Sequence, residues 1–189
     1  FRPSGHIRVD GKQIDGMVKV IRDSGLENIG LDLTDPRIHA DDSKRFAPIE
    51  SISLVKLDDS ARSKSFVDEA SCKRLKVVML DSANASDSAE ILQKLSKCKT
   101  LTCLWIDARK PADAAAGLNM LGAAAKFKSL VMLEIRSKPL NLDSLAVLRQ
   151  LKKLRWLGIT CPVRDGKPCD KEDVQKVLPG VDILLREND

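Results

Sequence analysis

Apolar residues recur along this chain in a six-residue template, apolar-x-x-apolar-x-apolar, that returns at a steady interval. Clear copies are Leu75–Leu80, Leu101–Ile106, Leu130–Ile135 and Leu154–Ile159, with a weaker one at Leu178–Ile183 and two earlier ones at Leu26–Leu31 and Ile52–Leu57. The copies start at 26, 52, 75, 101, 130, 154 and 178, so the intervals are 26, 23, 26, 29, 24 and 24 residues. One such hexamer is any short strand with a buried face, whereas repetition at near-constant spacing predicts a chain built from one recurring unit.

The stretches between the hexamers carry helical spacing. Helices are expected over Ser65–Lys73, Ser86–Lys97, Ala112–Lys126, Leu142–Lys152 and Lys171–Val177. Ile91, Leu92 and Leu95 make one apolar stripe, and Leu142, Leu145, Leu148 and Leu151 another, each placed to pack on the sheet. Asn141 and Asp170 are expected N-caps, while Lys97, Lys126 and Lys152 fall in last turns, where the helix dipole favours cations. The first 25 residues lack the full template. They read as a strand at Ile7–Val9, a turn at Asp10-Gly11 and a helix over Asp15–Ser24 that stops at Gly25. Residues 1–25 are therefore expected to cap residues 26–189 within one domain, and Pro179-Gly180 with the polar tail closes the other end.

In hexamer and interval the chain resembles the leucine-rich-repeat family over residues 26–185, in its irregular bacterial or ribonuclease-inhibitor-like form. The resemblance implies an α/β solenoid of about seven repeats, each one short parallel strand and one helix. It departs from the family where an Asn or Cys is usual, since Ala83 and Arg109 stand there. The resemblance also implies that the first, fourth and sixth template positions face the core. The third and fifth then face the concave side.

On that assignment Leu54, Val77, Met79, Cys103, Trp105, Met132 and Trp156 share an outward face with Glu134. An apolar patch of that size in water marks a partner site, and Trp and Met are enriched where interfaces are strongest. The expected function is thus a protein–protein interaction module that holds a macromolecular partner on the concave face. The competing reading is a second small core covered by loops. Asp32, Asp58 with Asp59, Asp81 and Asp107 follow their strands and Arg136 takes the next place, a rim that attracts a basic partner segment, holds a divalent cation between neighbouring carboxylates, or merely satisfies turn backbone. Lys73, Arg74, Lys76, Lys97, Lys99, Lys126, Lys128, Lys152, Lys153 and Arg155 make an opposite, basic rim. RNA or an anionic surface on that rim is the alternative function, and a self-associating structural module is a further one.

Composition narrows the classes. With 43% hydrophobic and 31% charged residues and no long apolar run, the 189-residue chain is expected to be soluble, and 3% aromatic content leaves Leu, Val, Ile and Ala to build the core. A net charge of +5 does not by itself point to nucleic acid. Cys72, Cys98, Cys103, Cys161 and Cys169 are odd in number and lack metal-ligand spacing, so they are expected to be mostly free, which leans towards a reducing compartment. Cys72 and Cys98 are expected in the core, and Cys161 and Cys169 are placed to pair in an oxidising environment. His6 and His39 have no catalytic neighbours in sequence, and no phosphate loop, G-x-S-x-G, H-E-x-x-H or C-x-x-C occurs. The expectation is a protein that is not an enzyme and carries no cofactor or metal.

Overall fold

A computed structural model describes residues 6–8, 16, 18–19, 29–34, 38–47, 49, 52–69, 72–73, 75–82, 85–109 and 114–187. The helix expected over Asp15–Ser24 lies mostly outside them. The chain alternates strands and helices: β1 (His6–Arg8), β2 (Ile29–Asp32), α1 (Ala40–Phe46), β3 (Ile52–Asp58), α2 (Ala61–Glu69), β4 (Val77–Asp81), α3 (Ala85–Leu95), β5 (Cys103–Asp107), α4 (Ala114–Ala124) and β6 (Met132–Arg136). A 3-10 helix (Leu142–Gln150), β7 (Trp156–Thr160), the hairpin β8 (Val163–Arg164) and β9 (Lys167–Pro168), α5 (Lys171–Val177) and β10 (Asp182–Arg186) complete it. Eight strands form one open sheet in the order β1-β2-β3-β4-β5-β6-β7-β10, every pair parallel.

Strands β4 and β5 alternate strictly. In β4 the side chains of Val78 and Leu80 are buried while Val77, Met79 and Asp81 are half-exposed, and β5 repeats the pattern with Leu104 and Ile106 inside. The inward residues join Ile91, Leu92 and Leu95 of α3, and Leu142, Leu145 and Leu148 of the 3-10 helix, in one continuous core. Helices thus cover one face, and the other is open.

The expected leucine-rich-repeat solenoid is corrected by this architecture to an open α/β parallel sheet with unlike connections. The returning segments are α-helices of 7, 9 and 11 residues, one 3-10 helix of nine, and a hairpin followed by a short helix. Any run of strand–helix units buries the helix-facing side of each strand. It therefore returns the same apolar hexamer at this interval, and the template does not discriminate a family.

Two local expectations change with it. The leucines at 142, 145, 148 and 151 are spaced by three, which lines them up at 3.0 residues per turn, so the segment read as an α-helix is a 3-10 helix with its leucines in one row. Asn141 does cap it, accepting from Asp143 N at 2.9 Å, and Asp170 caps α5, accepting from Asp173 N at 2.9 Å. Both end copies of the hexamer were set two residues out of register. Gly30 pairs with Leu54 and Asp182 with Trp156, so fifth positions of the end copies stand beside third positions of their neighbours. Strand β1, within the segment expected to cap the chain, pairs with β2 at the edge of the sheet.

The cysteines are also reassigned. Cys72 and Cys98 each precede their strand's first template leucine by three residues, so they occupy equivalent places in adjacent units. Neighbouring strands lie about 4.8 Å apart, and the two Cα atoms, 4.7 Å apart, are linked by a disulfide rather than standing as free core thiols. Cys103, Cys161 and Cys169 are free, and Cys161 meets the Cys169 carbonyl, not its sulfur, at 3.2 Å. The odd count therefore no longer speaks for a compartment. We expect unfolded, unreduced protein to titrate three thiols and reduced protein all five. Five thiols before reduction would contradict the pairing.

Candidate functional site

The register of the central strands sets three rows across the open face. The first holds Leu54, Val77, Cys103, Met132 and Trp156, and the second Lys56, Met79, Trp105, Glu134 and Gly158. The third, at the carboxyl ends, holds Asp58, Asp81, Asp107 and Arg136. All twelve residues singled out in the sequence thus lie on one face. They do not form the exposed apolar surface expected of them.

Leu54 is only 8% exposed, and Val77, Met79, Cys103, Met132 and Trp156 are half-buried by their neighbours. Trp105, at 40%, is the member of the set that stands clear into solvent. Trp156 folds back along its own strand over Gly158. A Cβ on that glycine would lie 2.6 Å from the indole Cη2 and 3.1 Å from Glu134 Cγ. The missing side chain therefore seats the ring beside Glu134. The macromolecular docking face expected from the sequence is corrected on these observations, because the apolar residues mostly cover one another. Outward position in a pattern does not equal exposed area.

Glu134 is the residue whose role sequence position least suggested. Its side chain is 5% exposed, and one oxygen, Oε1, accepts from Arg136 Nε at 2.8 Å and meets Arg186 Nη2 at 3.3 Å. Arg186 belongs to β10, two strands away, and reaches Glu134 across β7. It was missed because the hexamer at Leu178–Ile183 was placed two residues early, which put no outward residue at 186. Its Nε is buried without a partner.

A cleft of about 290 Å3 opens above the carboxyl ends of β3 to β6, lined by Lys56, Met79, Asp81, Trp105, Asp107, Glu134 and Arg136 together with the Leu80 and Ile106 backbone rows. Open parallel sheets take ligands at this end of their strands. The charges are partly tied: Lys56 to Asp32 at 3.7 Å, and Asp107 to Arg109 at 2.7 Å. The Arg109 hydrogen bond holds the Asp107 carboxyl below its ordinary value despite partial burial, so it stays ionised at neutral pH. Burial, with Glu134 adding to it, pushes the Cys103 thiol up to about 11, the reverse of an activated nucleophile.

Asp58 belongs to the structure rather than to the cleft. Burial raises its pKa, but hydrogen bonds from the Ser60 and Ser63 hydroxyls and the Ser60 amide, with the Arg62 charge, outweigh this and hold it below the ordinary value. Arg62 Nη2 meets it at 2.6 Å and also donates to the Thr34 carbonyl, while Arg62 Nε donates to Leu33 O at 2.7 Å, stitching β2 to β3. Among the described residues no three His, Cys, Asp or Glu side chains are grouped to hold a metal, and no helix is long and apolar enough to cross a membrane.

No family model and no curated protein matches the chain. Among solved structures it is similar to the N-acetylneuraminate lyase (sialic acid aldolase) of Aliivibrio salmonicida, at 14% identity and a TM-score of 0.36 over 94% of this chain. The chain spans 57% of the length of that lyase. A likeness of that size assigns neither fold nor activity.

Two outcomes follow from the geometry. Gly158→Ala should drive the Trp156 ring off its seat, giving a red-shifted, more readily quenched emission when measured in a Trp105→Phe background. Unchanged emission would mean the ring is held by something else. Asp58→Asn should cost on the order of 1–3 kcal/mol at neutral pH by orphaning Arg62 and two hydroxyls. Because the folded pKa lies below the unfolded one, this carboxylate's contribution is whole above the ordinary value of 3.8 and fades as pH falls through the lower folded value. Denaturation curves of the two proteins should therefore converge in acid.

Proposed function

We propose that the chain is a binding protein, not a catalyst, and that its open-face cleft takes a small organic cation. The observation that carries this reading is Trp105. It is the exposed aromatic ring of the sheet, and it lines the cleft together with Met79, Asp81 and Asp107. An indole face attracts an ammonium or guanidinium through its quadrupole, worth about 0.5–2 kcal/mol according to desolvation. Asp81 and Asp107, one row further along the same strands, place carboxylates at the carboxyl ends, set against the Lys56 and Arg136 cations of the same lining.

Size supports a small ligand, since the volume of about 290 Å3 falls at the low end of the roughly 300–1,000 Å3 typical of drug-sized sites. Binding rather than chemistry is supported by the state of the ionisable groups. The thiol beside the cleft is protonated throughout the neutral range, and Glu134 and Asp107 are engaged by guanidinium groups.

Choline and its uncharged isostere 3,3-dimethylbutanol separate charge from shape, with the emission of Trp105 in a Trp156→Phe variant as the readout. Choline should bind at least about ten-fold more tightly, and Trp105→Ala, followed by calorimetry, should remove most of that preference. Equal affinity for the two probes, or no binding of either, would overturn the reading.

A further inference from the structure

A second cavity, of about 410 Å3, lies at the opposite end of the strands, between the last turn of the 3-10 helix and the turn that leads into β10. Its walls carry four cations, Arg149, Lys152, Arg155 and Lys176, and no acidic residue is among those lining it. The rest of the wall is leucine, valine and the Pro179-Gly180 turn, where Gly180 adopts φ +79° and brings bare backbone to the rim.

The bonds these cations make leave most of their charge in place. Arg149 Nε donates to the Val177 carbonyl at 2.7 Å, which pins the guanidinium between the 3-10 helix and the end of α5. Arg155 Nη1 reaches the Leu154 carbonyl at 3.2 Å and the Lys152 carbonyl at 3.5 Å. A carbonyl orients a guanidinium but does not neutralise it. Lys176 meets Asp173 at 3.1 Å, an exposed pair one helical turn apart and screened by solvent. Three full charges therefore converge on one concave site with apolar walls, where electrostatic attraction for an anion is stronger than on an open surface.

We infer that this cavity binds a small phosphate-type anion, inorganic or carried as a phosphate ester on a small molecule. Planar guanidinium groups held in place by their backbone bonds suit phosphate oxygens, and Lys152 supplies a mobile counter-charge at the mouth. The site is a single pocket. It does not draw on the lysines that precede the earlier strands, which recur with the unit and lie outside its lining.

Pyrophosphate is the probe, titrated by calorimetry into the intact chain, in parallel with vesicles containing phosphatidic acid. The wild type should bind one equivalent of pyrophosphate, with affinity falling as salt rises. Lys152→Gln with Arg155→Gln should weaken it at least ten-fold, while Lys97→Gln with Lys99→Gln should not. Both changes are at exposed positions, so a melting curve within a degree or two of wild type confirms folding. Loss of affinity equal in the two double variants would show diffuse attraction and overturn the site. So would absence of pyrophosphate binding, or binding to the vesicles alone.

Discussion

A parallel sheet is ordinarily covered on both faces, and here helices cover only one. Every outward side chain of β3 to β7 must therefore be made compatible with water or with its neighbours. This constraint accounts for most of what the open face displays. Leu54, Val77, Cys103 and Met132 make a continuous low apolar row in which each shields the next. Trp156 lies down along its strand instead of standing up from it, because Gly158 leaves room. Of the remaining places, most carry charge, and Met79 and Trp105 are the apolar exceptions.

Glu134 shows what that solution asks of a charged side chain. A carboxylate this buried is costly unless paired, and its two guanidinium partners come from β6 and β10. The bridge to β10 crosses β7, where the register sets Thr160 beside Arg186. Gly158 thus seats an indole beside Glu134, and the Glu134–Arg186 pair ties the last strand to the sheet by charge as well as by its ladder.

The strands and their order were legible because each inward position carries a large aliphatic residue and the units recur. Leu104 and Ile106, with Leu133 and Ile135, left no other register open. Exposure was not legible. It depends on which way a ring folds over its neighbour, as at Trp156, and on contacts between residues more than twenty positions apart. The end strands slipped by two residues because period-2 alternation makes such a shift invisible on both faces. That slip concealed Arg186. The expected solenoid failed for a related reason, since periodicity reports a recurring strand–helix unit and says little about how such units are arranged.

The two ends of the sheet differ in sign. Asp32, Asp58, Asp81 and Asp107 end their strands, whereas Lys73, Lys97, Lys126, Lys152 and Arg155 precede theirs. Helix dipoles explain part of the basic edge, since cations are favoured where helices end, and turn backbone explains part of the acidic one, since Asp32 and Asp58 each accept from an amide two residues on. These are folding reasons, repeated with the unit. Repetition nonetheless sums small local preferences into an acidic margin and a basic margin separated by the length of a strand. A ligand site then arises only where a concavity interrupts a margin: Trp105 at one end, and the turn before β10 at the other. On this view the unit supplies the field, and the irregularities of the fold, a glycine, a 3-10 helix and a tight turn, decide where that field is used.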